Sequence, residues 1–265
     1  MAVNEYIPFL SEVKDVIKHT ETEYTFRMTY NKKDVKPGQF FEVSIPKFGE
    51  APISVSGIGE DYIDLTIRQV GRVTNEIFTN YIGDKLFLRG PYGNGFDVTD
   101  YQDTQLIIVA GGTGLSPVRG IVDHFAKYLE QTKGFTLIAG FKSPQDILFK
   151  EDLKAWQEKF EVILTVDKAD DHYEGNQGLV TNYISDLEIK DVNSLNVIVV
   201  GPPMMMHFTV QEFLKRQVPE KSIWISQERK MCCGIGKCGH CRIDDVYICL
   251  DGPVFNYTKG KNLID

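Results

Sequence analysis

The sequence predicts a β-barrel, then an α/β domain with a parallel sheet, and finally a small cysteine-rich module. Three observations lead to this fold class. Short strands punctuated by proline and glycine fill residues 1–102. Continuous apolar strands alternate with helical stretches over 103–225, as in βαβ units. All five cysteines lie in the remaining segment, 226–265. We therefore predict three domains with these boundaries.

The first domain has the pattern of a small antiparallel barrel. Residues 62–68 alternate, with isoleucine or leucine at every second position, which is typical of a half-buried strand. Other strands are predicted at 40–45, 53–56 and 85–88, and one helix at 74–81. Closing such short strands into a barrel gives their apolar faces a common core.

The second domain has the pattern of a parallel sheet covered by helices. Its first strand, 106–110, is continuously apolar and leads through a Gly-Gly-Thr-Gly turn into an amphipathic helix. Further strands are predicted at 135–139, 162–166, 197–200 and 223–225, and helices near 145–159, 178–187 and 203–216.

Four cysteines in the last segment have the spacing of a metal-cluster site. Cys233, Cys238, Cys241 and Cys249 follow the pattern C-x4-C-x2-C-x7-C, which is typical of a plant-type [2Fe–2S] cluster. Glycines separate the first three, as a tight loop around an inorganic core requires. Cys232 adjoins the first ligand and breaks the spacing, so we interpret it as a bystander.

Three other interpretations of these cysteines fit the sequence less well. A structural zinc site usually pairs its ligands in two short knuckles, whereas three ligands share one loop here. Disulfides suit short secreted domains, and the N-terminus has no basic and apolar regions of a signal peptide. His240 is a conceivable Rieske-type ligand, but four cysteines already suffice.

The bulk properties exclude some function classes. A net charge of −8 argues against binding to nucleic acid or to an anionic membrane. The longest apolar runs are far shorter than the roughly 20 residues that span a bilayer. We therefore expect a cytoplasmic protein with no nucleic-acid or membrane partner.

Two strand ends in the α/β domain are candidates for a dinucleotide site. Glycines at the carboxyl end of a sheet strand let phosphates approach the backbone, and the next helix N-terminus offers free N–H groups. The alternative is that these glycines serve packing alone. The candidate residues are Gly111, Gly112, Thr113, Gly114, Gly201 and Pro202.

One turn of the first domain is a candidate for a pyrophosphate site. Gly71, Arg72, Val73 and Thr74 open a predicted helix, and this turn carries an arginine. A purely structural turn is the alternative interpretation. The segment 51–54, Ala-Pro-Ile-Ser, also stands out beside the predicted strands.

Together these motifs resemble the ferredoxin–NADP reductase superfamily over nearly the whole chain. With its cysteine module, the chain resembles the electron-transfer subunits that combine FAD, NAD(P)H and a [2Fe–2S] cluster. Among them it is most similar to the family of B subunits of anaerobic sulfite reductase. The electron-transfer subunit of dihydroorotate dehydrogenase and the gamma subunit of sulfhydrogenases are the alternatives.

The resemblance implies roles for individual residues. The flavin motif Arg-x-Tyr-Ser corresponds to 51–54, so that Pro52, Ile53 and Ser54 bind the flavin, with Ser54 near its N5 atom. The turn 71–74 then binds the pyrophosphate, and the two glycine-rich strand ends bind the nicotinamide nucleotide.

This chain departs from the flavin motif at two positions. Ala51 replaces the arginine and Ile53 replaces the tyrosine, which leaves Arg68 and Arg72 as candidates for the missing positive charge. FAD is expected rather than FMN.

The resemblance also implies a mechanism without catalytic acids or bases. NAD(P)H gives a hydride to the flavin, and single electrons pass through the cluster to catalytic and electron-transfer subunits of a reductase complex. NADH is the expected donor. NADPH is the alternative donor, because residues 141–143 (Phe-Lys-Ser) contain no acidic group that would repel its 2′-phosphate. A flavin-binding redox sensor without turnover is the alternative from a different class.

Overall fold

The computed structural model describes residue 4 and residues 6–263, which fold as two compact units. One unit contains the chain up to Phe96 together with Gln227–Val254. The other contains Asp97–Ser226 together with the chain from Phe255. The cysteine segment therefore folds with the N-terminal strands, although more than 130 residues separate them along the chain.

The strands are β1 Phe9–Lys18, β2 Glu23–Thr29, β3 Phe40–Ile45, β4 Gly49–Ile58, β5 Tyr62–Arg68, β6 Lys85–Tyr92, β7 Gln105–Gly111, β8 Gly134–Phe141, β9 Glu161–Val166, β10 Asn176–Gln177, β11 Leu195–Val200, β12 Ile223–Ser226, β13 Arg242–Ile243, β14 Val246–Tyr247 and β15 Val254–Asn256. The helices are α1 Arg72–Asn80, α2 Leu115–Lys127, α3 Lys150–Gln157, α4 Pro203–Lys215, α5 Ile248–Asp251 and α6 Tyr257–Gly260.

The first six strands form a closed antiparallel barrel in the order β1-β2-β5-β4-β3-β6, which confirms the predicted barrel. Alternate residues of β2 to β6 point inward and form one apolar core, which also contains Ile77 of α1. Strands β1 and β2 were not predicted. Most residues of β1 are exposed or half-buried and many are charged, so its sequence lacks the apolar alternation of a strand.

The second unit contains the predicted parallel sheet, in the order β10-β9-β8-β7-β11-β12-β15. The predicted strands are all present, and β7 at the centre is buried along its whole length. The helix predicted at 178–187 is wrong: only a short 3-10 turn, Val180–Tyr183, forms there. Threonine, asparagine and tyrosine in that turn have low helix propensity.

No helix in the described part of the chain is long and apolar enough to cross a membrane.

Candidate functional site

The segment 232–249, which contains all five cysteines and is called the cysteine loop below, buries most of its thiols. Cys233, Cys241 and Cys249 are each at most 4% exposed, whereas Cys238 lies at the surface. Cys232 is half-buried. Of the four predicted ligands, three thiols are thus buried and one lies at the outer edge.

Backbone amides point at the buried sulfur atoms. The N–H of Gly236 donates to Sγ of Cys249 at 3.2 Å, and the N–H of Lys237 donates to Sγ of Cys233 at 3.3 Å. A third bond joins the N–H of Cys249 to Sγ of Cys241 at 3.4 Å. Such donors stabilise negative charge on sulfur and are one of the factors that set the potential of iron–sulfur clusters.

The surroundings of Cys233 and of its neighbour Cys232 shift the pKa values of these two thiols in opposite directions. Burial acts to raise the pKa of Cys233, but backbone N–H groups led by that of Cys238 outweigh it and lower this pKa to about 6. Burial raises the pKa of Cys232, and it raises that of Cys249 to about 12. Backbone N–H groups therefore stabilise the thiolate of Cys233, which is the form of cysteine that binds a metal.

Two glycines of this loop cannot be replaced without a clash. Gly234 has φ +76°, and an added Cβ would lie 2.4 Å from the ring of Tyr92. Gly236 has φ +68°, and its Cβ would lie 2.7 Å from Leu250. Positive φ at both positions favours glycine, and it turns the amides toward the sulfur atoms.

The donor chemistry of the loop fits an iron–sulfur group. Four thiols, three N–H···S bonds and two glycine turns lie in one short segment. Within residues 4 and 6–263, no three histidine, cysteine, aspartate or glutamate side chains are grouped as they would be around a single metal ion.

A buried arginine joins the cysteine loop to the barrel. Arg89 on β6 is 3% exposed and donates to the carbonyl oxygens of Cys232 at 3.0 Å and Cys233 at 2.9 Å. It also donates to the hydroxyl of Tyr92 and, from two nitrogen atoms, to the carboxylate of Glu50. Arg89 was not among the predicted site residues, because its only local sign in the sequence is a cation at the end of an apolar strand.

Glu42 on β3 is a second buried charged residue that the sequence analysis missed. It is fully buried, and neither carboxyl oxygen has a hydrogen-bond partner among the described residues. The register sets it beside Arg89 on one side and Pro52 on the other. Burial raises the pKa of Glu42 to about 8 against the opposing positive charge of Arg89, so this carboxyl is largely protonated at pH 7.

The proposed flavin motif lies on β4, next to the strand that carries Glu42. Pro52, Ile53 and Ser54 are half-buried. Ile53 packs against the barrel core, so the alternation of the strand turns Pro52 and Ser54 to the outer face. The register then gives a row across the barrel wall from Ser54 to Phe40 on β3 and to Tyr92 on β6.

This row ends at the cysteine loop. The rings of Phe40 and Tyr92 have centroids 5.8 Å apart, and the ring of Tyr92 lies against Gly234. Two strand spacings of about 4.8 Å separate β4 from β6, so the motif strand lies about 10 Å from the strand that supports the loop. One wall of the barrel therefore carries both the flavin motif and the cysteine loop.

The predicted pyrophosphate turn opens α1 and leaves space in front of it. Gly71 has an extended backbone with φ −154°, and no heavy atom of the described residues lies within 4 Å of an added Cβ. The hydroxyl of Thr74 accepts hydrogen bonds from the N–H groups of Val70 at 3.0 Å and Gly71 at 2.9 Å. The side chain of Val73 is buried and anchors this turn to the barrel.

The two arginines that were candidates for the missing positive charge already have partners. Arg72 donates to the carbonyl oxygen of Lys47 at 3.1 Å and lies over the ring of Phe48. Arg68 lies 3.6 Å from a carboxylate oxygen of Glu23. Both are exposed, so these contacts are weak and do not prevent either arginine from binding an anion.

The two glycine-rich strand ends of the second unit meet at one edge of the sheet. Strands β7 and β11 are parallel neighbours, and Val200 is in register with Ala110. Strand β8 lies on the other side of β7, so the strand order reverses between β7 and β11. Open α/β sheets bind ligands at such a point, outside the carboxyl ends of the strands.

The glycines at this edge have different surroundings. An added Cβ at Gly111 would lie 2.3 Å from Sδ of Met205, and one at Gly114 would lie 2.5 Å from the carbonyl oxygen of Val200. An added Cβ at Gly201 would lie 2.9 Å from Met205, so close packing alone requires glycine at all three positions. Gly112 differs, because it has φ +55° and open space around an added Cβ within the described structure.

The remaining predicted residues complete the same edge. Thr113 lies in the 3-10 turn Gly112–Gly114, which leads directly into α2. Pro202 is exposed and precedes the first turn of α4.

Two protein-family models match the chain, one in the predicted α/β domain and one in the cysteine-rich segment. The model of the oxidoreductase NAD-binding domain matches residues 108–211. The model of the iron–sulfur cluster binding domain of dihydroorotate dehydrogenase B matches residues 228–259.

Several curated proteins are similar along almost their whole length. The chain is 32% identical to sulfhydrogenase 1 subunit gamma of Pyrococcus furiosus, over 96% of this chain and 92% of that protein. It is 33% identical to sulfhydrogenase 2 subunit gamma of the same organism, over 96% of each. It is 31% identical to a probable dihydroorotate dehydrogenase B (NAD(+)) electron transfer subunit of Thermoplasma volcanium, over 94% and 89%.

Solved structures share the fold. An NADH-dependent reduced ferredoxin–NADP oxidoreductase superimposes with a TM-score of 0.77 at 24% identity, over 95% of this chain and 89% of that chain. A ferredoxin–NADP reductase of Neisseria gonorrhoeae with bound FAD and NADP superimposes with a TM-score of 0.66 at 18% identity, over 78% and 91%.

Proposed function

We propose that this chain, which belongs to the family of NAD-binding iron–sulfur electron-transfer subunits, carries electrons from NADH to a partner oxidoreductase. The family includes the sulfhydrogenase gamma subunits. The observation that carries this proposal is the shared barrel wall. The strand of the flavin motif, β4, lies about 10 Å from β6, the strand whose Tyr92 packs against the cysteine loop. Electron transfer between two redox groups becomes slow as their separation grows, so this short path supports a relay.

The residues would bind and orient the cofactors and would perform no acid–base step. When bound, FAD and the cluster supply the chemistry, because a flavin accepts a hydride and an iron–sulfur cluster moves single electrons. The first turn of α1, residues 72–74, would offer its backbone N–H groups and the positive end of the helix to a diphosphate. Ser54 faces the outer side of β4, where a flavin ring would lie.

The same proposal assigns one cofactor to each predicted part of the chain. Residues 1–102 would bind FAD, residues 103–225 would bind NADH, and residues 226–265 would hold a [2Fe–2S] cluster. Cys233, Cys238, Cys241 and Cys249 are the proposed ligands. We further propose that the protein acts in the cytoplasm.

The comparisons change our preferred partner. The cysteine loop had suggested anaerobic sulfite reductase, but the similar proteins described above are sulfhydrogenase and dihydroorotate dehydrogenase subunits. They support the alternative interpretation better than the sulfite reductase interpretation. We therefore propose a hydrogenase-type catalytic partner first and a dihydroorotate dehydrogenase-type partner second.

The donor is tested on the isolated chain. Loaded with FAD and iron–sulfur, the chain should oxidise NADH when an artificial electron acceptor is present, and it should leave sulfite, polysulfide and orotate unchanged. A loaded chain that binds NADH without oxidising it would contradict the proposal and favour a redox sensor. Parallel measurements with NADPH decide between the two donors.

The partner is tested by purifying the native complex. Hydrogenase subunits in the complex, with NADH-linked hydrogen or polysulfide chemistry, would support the first choice. NADH-linked conversion of orotate would support a dihydroorotate dehydrogenase-type partner. NADH-dependent sulfite reduction would instead support a sulfite reductase partner.

The cofactors are identified by direct analysis. Acid-released flavin should be FAD, and iron and sulfide should each be present at about two per chain with the electron paramagnetic resonance of a reduced [2Fe–2S] cluster. FMN alone would remove the need for a pyrophosphate site at α1. A colourless protein that contains zinc would contradict the iron–sulfur assignment.

A further inference from the structure

We infer that Arg89 is a positioning residue for the iron–sulfur loop and that its charge raises the reduction potential of the cluster. This inference rests on the proposed function, since it takes Cys233 as a cluster ligand. Arg89 belongs to none of the motifs in the cysteine segment and lies 144 residues before Cys233.

Every donor of the Arg89 guanidinium has one acceptor. Its Nε and one Nη2 hydrogen bind the two carboxylate oxygens of Glu50, at 2.9 and 2.5 Å. The other Nη2 hydrogen binds the carbonyl oxygen of Cys232 at 3.0 Å. The two Nη1 hydrogens bind the carbonyl oxygen of Cys233 at 2.9 Å and the hydroxyl of Tyr92 at 3.0 Å. An arginine has five such donors in a fixed plane, so no donor is left over.

This arrangement fixes the start of the loop to a rigid strand. β6 pairs with β1 as far as Leu88 and with β3 at Arg89 itself, where Glu42 is the partner, so Arg89 lies on a strand of the closed barrel. Two consecutive carbonyls of the loop bind one guanidinium plane, which sets the direction of the chain as it enters the first ligand. Tyr92, three residues later on β6, packs against Gly234 and supports the next position of the loop.

The charge of Arg89 is only partly cancelled by its partner. The Arg89 side chain is 3% exposed, while that of Glu50 is 33% exposed and more strongly screened by water. Burial acts to raise the pKa of Glu50, but hydrogen bonds from Arg89 and Ser44 outweigh it and keep the carboxylate ionised. A net positive field therefore remains beside the loop. Positive charge near a cluster stabilises its reduced form.

The competing interpretation is that Arg89 only ties Glu50 to β6 and so stabilises the barrel. That role predicts a loss of global stability on mutation, with a loop and a cluster that are otherwise unchanged. Arg27 provides the matched control, because it binds Asp64 through two hydrogen bonds of 2.8 and 3.0 Å. It joins β2 and β5 of the same barrel and belongs to no proposed cofactor site.

The first test uses the protein without cofactors. In Arg89→Met, amide hydrogen exchange in residues 233–238 should become about tenfold faster or more, because two charge-assisted hydrogen bonds to the loop are lost. Barrel amides of β2 and β5 should keep their protection. Arg27→Met should leave exchange in the loop unchanged. Equal loop exchange in wild type and Arg89→Met would overturn the positioning role.

The second test measures the loaded protein. Arg89→Met should shift the cluster to a more negative reduction potential and should retain less iron on gel filtration. Arg89→Lys keeps the charge but loses the planar fork, so it should retain less iron with a potential near that of wild type. Arg89→Met combined with Glu50→Gln removes both charges, so its potential should return toward the wild-type value.

These outcomes separate the inference from the proposed function. A wild-type chain that binds no iron–sulfur group would refute the proposed function, while the exchange test still decides whether Arg89 holds the loop. Wild-type potential in Arg89→Met would overturn the electrostatic role. If Arg89→Met does not fold, Arg89→Lys replaces it in the test of positioning. Arg89→Lys combined with Glu50→Gln then replaces it in the test of charge. This double variant loses the negative charge of Glu50, so its cluster should have a higher reduction potential than that of Arg89→Lys.

Discussion

Replacing Gly71 by alanine should weaken flavin binding while leaving the fold intact. The backbone of Gly71 is extended, and an added Cβ meets nothing within 4 Å in the described structure. At such a site the substitution stabilises the folded state by about 0.4–1 kcal/mol through the entropy of the unfolded chain. Alanine is a poorer residue than glycine before a helix, which costs about 0.5–1 kcal/mol. The two effects oppose each other, so we expect the free energy of unfolding to change by less than about 0.5 kcal/mol.

The effect on the flavin is different because the methyl group occupies the space in front of α1. If a diphosphate lies against this turn, the added carbon forces it or its neighbours to shift. Overpacking by one methyl group costs about 1–3 kcal/mol. That range corresponds to a Kd for FAD raised about 5- to 150-fold.

Two measurements test this prediction. Urea unfolding of the cofactor-free protein gives the free energy of unfolding, and quenching of flavin fluorescence gives the Kd. Gly83→Ala is the matched control in the same barrel, because Gly83 also has open space but has φ +80°. It should lower the free energy of unfolding by about 1–2 kcal/mol through backbone strain and leave the Kd unchanged. An unchanged Kd in a folded Gly71→Ala protein would refute the diphosphate site.

Three further predictions concern the other sites. Cys233→Ser should abolish or disturb the iron–sulfur spectrum, while Cys232→Ser should leave it intact; the reverse result would show the ligand assignment to be wrong. Gly112→Asn, which tolerates the positive φ better than alanine does, should raise the KM for NADH several-fold with flavin and iron content retained, and an unchanged KM would favour a purely structural turn. Glu42 has a pKa raised from 4.5 to about 8, so the folded state keeps a proton that the unfolded chain releases. The free energy of unfolding of the cofactor-free protein should therefore fall as pH rises from 4.5 to 8, by up to about 1.4 kcal/mol per pH unit. Glu42→Gln should lack this part of the fall in urea unfolding at pH 5 and pH 8, and equal slopes in both proteins would argue against a buried proton.

The barrel shows where sequence patterns succeed and where they fail. β5 was predicted with its observed bounds because its apolar residues alternate. β1 was missed because most of its residues are exposed or half-buried, so its apolar residues do not alternate regularly. Backbone hydrogen bonds to β2 and β6 hold this strand, and such bonds leave no periodic pattern in the sequence.

The glycines show the same limit at the nucleotide edge. The sequence placed Gly111, Gly112 and Gly114 together at a strand end, and the structure puts them there. Which of them packs and which faces open space depends on Met205 and Val200, which come from distant parts of the chain. The order of the strands, which reverses between β7 and β11 at this edge, is likewise set by the tertiary structure.

By itself the sequence determined the barrel, the parallel sheet and the cysteine loop with its spacing. These features depend on residues close together along the chain, where periodicity, turn residues and ligand spacing can be read directly. Only the tertiary structure decided that the loop folds with the barrel wall, with Arg89 beneath Cys233 and Glu42 buried beside it. Arg89 and Cys233 are 144 positions apart along the chain. The position of Glu42 depends on the register of β3 and β6, which local sequence does not encode.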